Sequence, residues 1–308
     1  MTAGGEETPM PITSFDELLK VVQQGETKTL AVAAAQGPEI LKAVSQAAQM
    51  GIVRPLLVGD GEQMAKIATE VEVDISAFEK VEEKDPLRAA GKAIELVTQG
   101  RADLLMKGNL TTPAILGLVL EKERGLRTDR LLSHLAVVEV SGYPKLLLFT
   151  DGGMVIRPDL VKKVGILKNA ILVANRLGIQ VPKVAVLASV ETVHPEISET
   201  VDAAELVRMS REGQLPPAEI EGPLAMDIAV SLKAAKMKGI KSSVAGDADI
   251  LLVPDVAAGN ICVKGLVYLT GAKVAGVVLG AKVPIVLLSR SDSAQTKLYS
   301  IALGAWLC

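Results

Sequence analysis

Short apolar runs recur along this chain, separated by stretches in which apolar residues return every three or four positions. The runs read as strands buried on both faces and the periodic stretches as helices with one apolar side. Strands are predicted at 29–35 (TLAVAAA), 56–58, 71–75, 102–106 (ADLLM), 183–188, 218–220, 250–253, 275–279 and 285–288. A first helix opens at Ser14, whose Ser-x-x-Glu spacing to Glu17 is a capping-box signature, and Gly25 closes it. The next starts at Gly37-Pro38, carries Ile40, Leu41, Val44, Ala47 and Ala48 on one side, and ends at Gly51. Further helices are predicted at 61–69, 86–99, 111–120, 158–177, 196–211, 224–237 and 295–306. Such alternation demands a parallel sheet with right-handed crossovers, which sets the fold class as α/β.

Residues 121–145 break that rhythm. A charged connection, EKERGLRTDR, leads to two strands, LAVVEV and KLLLFT, joined by the tight SGYP turn at 141–144. The hairpin marks a change of sheet and a domain crossing. At 308 residues the chain exceeds one ordinary core, so two domains are predicted.

Composition narrows the partners. With 49% hydrophobic residues but only 2% aromatic, the core is built from Ala, Val, Leu and Ile. A net charge of −3 argues against a nucleic-acid protein, while local basic groups can still bind a small anion. Cys262 and Cys308 form neither a disulfide framework nor a metal motif, and Cys262 reads as a small buried residue of an apolar helical run. The first dozen residues, Gly-, Glu- and Pro-rich, are expected to be mobile and lack the pattern of a signal peptide. No apolar window is long enough to span a membrane, so a cytoplasmic protein is expected. Abundant Ala and Val also predict a homo-oligomer.

Polar residues cluster just beyond the strand ends, where an open α/β sheet holds its ligands. Lys107-Gly108-Asn109 and Thr111-Thr112-Pro113 follow strand 102–106 and can form an anion cradle at a helix start; equally, they read as a Thr cap followed by proline. Asp151 with Gly152-Gly153, Glu191 with His194, and Gly222-Pro223 with Asp227 follow other strands. His134 abuts an apolar strand and reads as a core or hinge residue. Ser289-Arg290 ends strand 285–288, and its arginine can offer a two-pronged fork to phosphate or pair locally with Asp292. Ser291 and Ser293 can cap the last helix.

Taken together, ADLLMKGNLTT, LLSHLAVVEV, ASVETVHP, IEGPLAMDIAVS, VAGDADILLVPDVAAGN and IVLLSRSDSAQTKLYSIAL resemble the phosphate acetyl/butyryltransferase family, most closely its butyryltransferase branch. The likeness runs from about residue 28 to the C-terminus in the same order. It implies two α/β/α domains like those of isocitrate/isopropylmalate dehydrogenases, divided as 1–138 plus 283–308 and 139–282, with the site in the cleft between them. The implied reaction is reversible transfer of a short acyl group from coenzyme A to inorganic phosphate, giving an acyl phosphate. Coenzyme A is then a substrate, and neither a metal nor a tightly bound cofactor is implied. By the family's motifs, Arg290 would bind phosphate, Ser289 would stabilise charge at the reacting centre, and Ser133, Asn260 and Lys264 would contact phosphate or face the cleft. Where the acetyltransferase branch carries an aspartate, seven residues past the serine, this chain has Thr296; Asp292 is the nearest carboxylate and the candidate base. Related readings are a phosphate acetyltransferase, an acyl-carrier-protein phosphate acyltransferase, a metal- and NAD-dependent hydroxyacid dehydrogenase of the same architecture, and a non-catalytic binder of coenzyme A or acyl phosphate.

Overall fold

A computed structural model describes residues 10–123 and 125–308. Most of the Gly-rich opening and Arg124 of the charged connection lie outside the described residues. The first half alternates as expected: α1 (Phe15–Gln23), β1 (Lys28–Ala33), α2 (Pro38–Gln49), β2 (Val53–Gly59), α3 (Gly61–Glu70), β3 (Glu79–Glu82), α4 (Pro86–Thr98), β4 (Leu104–Lys107) and α5 (Thr112–Val119). The hairpin β5 (Ser133–Glu139) and β6 (Leu147–Thr150) comes next. Then follow α6 (Leu160–Arg176), β7 (Lys183–Leu187), α7 (Ser198–Arg211), β8 (Glu219–Leu224), α8 (Met226–Val230), α9 (Leu232–Met237), β9 (Ile250–Leu252) and α10 (Val256–Thr270). The chain closes through β10 (Lys273–Leu279), β11 (Ile285–Val286) and α11 (Ala294–Trp306).

Helix starts follow from side-chain chemistry. Ser14, Asp60, Asp85, Asp159, Asp255 and Ser293 each accept a backbone N–H of the first turn, satisfying donors that a helix leaves unpaired. The Ser14 box closes differently from the simple pattern: Glu17 reaches back to the N–H of Thr13 at 2.7 Å. Pro86 and Pro38 occupy first turns, where a missing N–H costs nothing.

The described residues form one eleven-stranded sheet in the order β3-β2-β1-β4-β11-β10-β5-β6-β9-β7-β8. It is not wholly parallel. β1 to β4 and β11 run together, while β10 is antiparallel to both β11 and β5, and β5 is antiparallel to β6. β9, β7 and β8 continue parallel to β6. Hence β1–β4, β5 and β11 point one way and β6–β10 the other, with β5 and β10 interleaved. The hairpin reverses strand direction without changing sheets, because β5 and β6 stay paired from Leu135↔Thr150 to Val138↔Leu147.

Helices cover both faces. α1, α2, α3, α6, α7 and α11 bury their apolar sides with Leu30, Val32, Leu135, Val137, Val277 and Val286. On the opposite face, α4 and α5 cover Ala31, Ala33 and Leu105, and α8, α9 and α10 cover Ala136, Phe149 and Leu251. Among the described residues no helix is long and apolar enough to cross a membrane.

Three predicted elements move. Residues 71–75 form no strand but a turn after α3, with Ile75 plugging the core at 6% exposure; the edge strand is Glu79–Glu82, whose polar residues carry no apolar signal. Helix 224–237 is broken at Ser231, which leaves helical geometry (φ −137°, ψ 105°) and caps α9 by accepting the N–H of Ala234. Strand 285–288 pairs over only two residues, because Leu287 and Leu288 peel away to line the cavities described next.

Candidate active site

The strand order reverses beside β1: α2 carries the chain outward to β2, and after β3 the chain returns to place β4 on β1's other side. At such a switch point the loops leave in opposite directions and open a crevice at the carboxyl ends. A cavity of 300 Å³ lies there, lined by Gln36 and Glu39 after β1, Gln63 of α3, Lys107 to Asn109 after β4, Leu288 to Arg290 after β11, and Lys297 of α11. Gly108 lets the chain leaving β4 lie close against the end of β1. Its N–H donates to Ala33 at 2.8 Å, and a Cβ there would lie 2.2 Å from the oxygen of Ala34.

The cavity is strongly cationic. Lys107 and Lys297 are buried at 5% and 3% exposure. The Lys107 amine donates to the carbonyls of Leu110 (3.2 Å) and Gly108 (3.4 Å), and that of Lys297 to the carbonyls of Ser289 and Asp292. Burial pulls both amines below the ordinary lysine range; for Lys107 the charges of Lys297 and Arg290 add to the fall, against Asp292. Arg290 is exposed and, among the described residues, has no carboxylate within 4 Å. Glu39, the one carboxylate lining the cavity among the described residues, is already engaged by Lys42 (3.1 Å) and the N–H of Ala294 (2.8 Å). Among the described residues, three cations and one carboxylate already held by other partners line this crevice, a net positive site for a polyanion such as phosphate.

A second cavity of 720 Å³ adjoins the first through Leu288 and Ser289. Its floor is the sheet: His134 and Ala136 of β5, Val274 and Gly276 of β10, with Gly276 paired to Ala136. α10 supplies one wall with Asn260, Val263, Lys264, Val267 and Tyr268. The other is built from Thr112, Leu287 to Ser289, Ser291 to Ser293 and Thr296. One side is thus apolar and the rim polar, the arrangement of a site that holds a hydrocarbon group by burial and orients it by a few polar atoms.

The loop between the cavities is tightly tied. The Asp292 carboxylate accepts the N–H of Ser289 at 2.8 Å, and the Ser289 and Ser291 hydroxyls lie 2.9 Å apart. Asp292 therefore shapes the loop rather than pairing with Arg290, which leaves the guanidinium free. Ser293 caps α11 as expected from sequence.

The structure brings together most of the candidate residues. Ser289, Arg290, Lys107 and Asn109 meet in the first cavity, and Ser289, Asp292, Thr112, Asn260 and Lys264 in the second. Three others lie apart from both linings. Thr111 is the N-cap residue of α5 and makes no capping bond through its side chain. Ser133 is 1% exposed, and its hydroxyl takes a 2.7 Å bond from Asn169. Asp151 is 2% exposed and accepts the N–H groups of His134, Gly153 and Met154 at 2.8–2.9 Å, which makes it the brace of that turn.

Sequence reasoning missed Gln36, Glu39 and Lys297, and read His134 as core or hinge. Gln36-Gly37-Pro38 repeats after β1 the polar-Gly pattern that flagged Lys107-Gly108 after β4. Lys297 left a fainter signal, a lysine directly before the mostly apolar remainder of the last helix.

Comparison with known proteins agrees with this geometry. The family model described as phosphate acetyl/butaryl transferase matches residues 14–90 and 86–305. A phosphate butyryltransferase from Clostridium beijerinckii is 44% identical over 292 residues, covering 95% of this chain and 97% of its own. A phosphate acetyltransferase from Thermotoga maritima is 41% identical, covering 94% of this chain and 99% of the relative. The crystal structure of a branched-chain phosphotransacylase from Enterococcus faecalis superposes with a TM-score of 0.81 at 33% identity, over 91% of this chain and 99% of that one. With a matching model across nearly its whole length and relatives this similar, the chain belongs to the phosphate acetyl/butaryl transferase family.

Proposed function

We propose that this protein transfers a short acyl group reversibly between coenzyme A and inorganic phosphate, with phosphate in the 300 Å³ cavity and the acyl thioester in the 720 Å³ cavity beside it. The observation that carries the assignment is the meeting of a net cationic crevice and a half-apolar slot at Ser289. Lys107, Lys297 and Arg290 hold phosphate oxygens. Ser289 stands where the two ligands meet and donates to the oxygen that gains charge as the carbonyl is attacked. Asn260, Lys264 and Thr112 orient the thioester. Asp292 keeps the Ser289 loop in place, and Thr111, Ser133 and Asp151 support the walls.

Phosphate attacks the thioester directly, since two substrates held side by side need no enzymic nucleophile. Cys262, whose thiol burial pushes up, is poorly suited to be one. Coenzyme A enters as a substrate.

The division into 1–138 plus 283–308 and 139–282 is supported by strand direction: β1–β4, all but the last residue of β5, and β11 fall in the first part and run one way, while β6–β10 fall in the second and run the other. The return of α11 to the first domain is supported by Tyr299 stacking on Phe15, with ring centroids 4.4 Å apart. The cleft of an isocitrate/isopropylmalate dehydrogenase-like pair of domains then corresponds to the two cavities.

The test is release of free coenzyme A from acetyl-, propionyl- and butyryl-CoA with and without phosphate, with the acyl phosphate trapped by hydroxylamine. Phosphate-dependent release with equal hydroxamate is expected. Release without phosphate, or none with any chain length, rejects the assignment.

A further inference from the structure

Release of coenzyme A as a thiol puts a proton on sulfur; Thr296 stands where the family resemblance implied a carboxylate, and Asp292, the candidate base, lines the cavity with its carboxylate tied to the N–H of Ser289 at 2.8 Å. His134 forms part of the floor of the 720 Å³ cavity. Its main chain is fixed at both polar atoms: the N–H donates to Asp151 at 2.9 Å and the carbonyl accepts from the Thr150 hydroxyl at 3.0 Å. The ring is not so served. Nδ1 is buried with no hydrogen-bond partner among the described residues. An unpaired buried polar atom is destabilising, a cost that an apolar side chain at this floor position would avoid.

Space for the ring is cleared by two glycines. A Cβ on Gly153 would lie 2.8 Å from the ring, and one on Gly276 would lie 3.0 Å from Nε2 and 3.2 Å from a methyl of Leu288. Nε2 and a methyl of Leu288, the residue before Ser289, therefore both lie over Gly276.

We propose that His134 is the catalytic residue that moves the proton of the coenzyme A thiol, a proposal that rests on the acyltransferase reading above. As hydrogen phosphate attacks, a C–O bond forms, the C–S bond breaks, and the proton of the phosphate passes through the imidazole to sulfur. In reverse, the ring takes the thiol proton, sulfur forms the C–S bond as the C–O bond breaks, and the imidazolium returns that proton to the phosphate, which leaves into the cationic crevice as hydrogen phosphate. The ring ends each turnover as it began, so no further reactant is needed.

The electrostatics suit that role. Burial holds the imidazole below its ordinary range, opposed by the carboxylates of Asp151 and Asp292. Lys264 faces the same cavity from α10. The resting ring is therefore neutral near pH 7 and ready to accept a proton.

The test follows His134→Gln from acyl phosphate and coenzyme A toward acyl-CoA, across pH 6–9.5, after wild-type activity has been established. Glutamine keeps hydrogen bonding but cannot titrate. A loss of about 10²–10³-fold is expected at pH 7. Without the base only pre-ionised thiol reacts; with a thiol pKa of about 8.5, the deficit should shrink roughly 30-fold by pH 9.5. Added imidazole should restore part of the rate to His134→Ala, whose phosphate-induced thermal stabilisation reports intact folding. A deficit constant across pH, or near-wild-type rates in both variants, overturns the assignment. An inactive wild type would instead reject the acyltransferase reading.

Discussion

Replacing Arg290 isolates the phosphate-binding argument, because this side chain has no other task. It is exposed, and among the described residues no carboxylate holds it. Arg290→Ala should therefore change stability by no more than about 0.5 kcal/mol. The transition state, by contrast, loses a charged donor aimed at the transferring phosphate. A deletion of that kind costs about 2.7–4 kcal/mol, or roughly 10²–10³ in rate. Arg290→Lys keeps the charge but loses the planar fork; giving up one charged hydrogen bond, about 1.5–3 kcal/mol, predicts a fall of roughly 10–150-fold. Coenzyme A release followed with a thiol reagent, against phosphate concentration, reads the effect, and thermal melting controls for folding. Alanine and lysine variants that both retain wild-type kcat/KM for phosphate, with unchanged melting, would refute the placement of phosphate beside Arg290.

Other predictions concern the same crevice and its surroundings. Gly108→Ala forces a methyl to within 2.2–2.4 Å of the Ala33 and Ala34 oxygens; melting should drop by several degrees and phosphate dependence should weaken, whereas an unaltered protein would show that the chain past the ends of β1 and β4 relaxes easily. Bound phosphate favours the charged forms of Lys107 and Lys297, whose amines lie below the ordinary range in the free protein. Phosphate affinity, read as a thermal shift, should fall as pH rises through those lowered values; an increase over that alkaline range would contradict the lysine assignment. Cys262→Ala should retain wild-type turnover, since burial pushes that thiol up; loss of activity without loss of fold would implicate the thiol in catalysis.

Much of the fold was legible because β1, β4, β6, β7 and β9 are buried on both faces and so read as unbroken apolar runs. β3 escaped because it is a polar edge strand, held by the backbone of β2 rather than by its own side chains. The reversal of direction at β10 was not readable, since periodicity records burial and not orientation. At the site, Ser289, Arg290, Lys107 and Asp292 announced themselves as polar residues just past strand ends. Gln36 followed the same rule but was masked by the helix signal of Gly37-Pro38. Lys297 and His134 could not be found that way: each lies within a helix or strand, and only the packing of β11 and α11 against the sheet turns them toward a cavity.

The central claim is that phosphate displaces coenzyme A directly while both occupy adjoining cavities. Initial rates measured over a grid of butyryl-CoA and phosphate concentrations test it most plainly. Direct displacement predicts intersecting double-reciprocal lines and no acylated protein by mass spectrometry after incubation with butyryl-CoA alone. Parallel lines, together with a stable mass increase of one butyryl group on the protein, would contradict it.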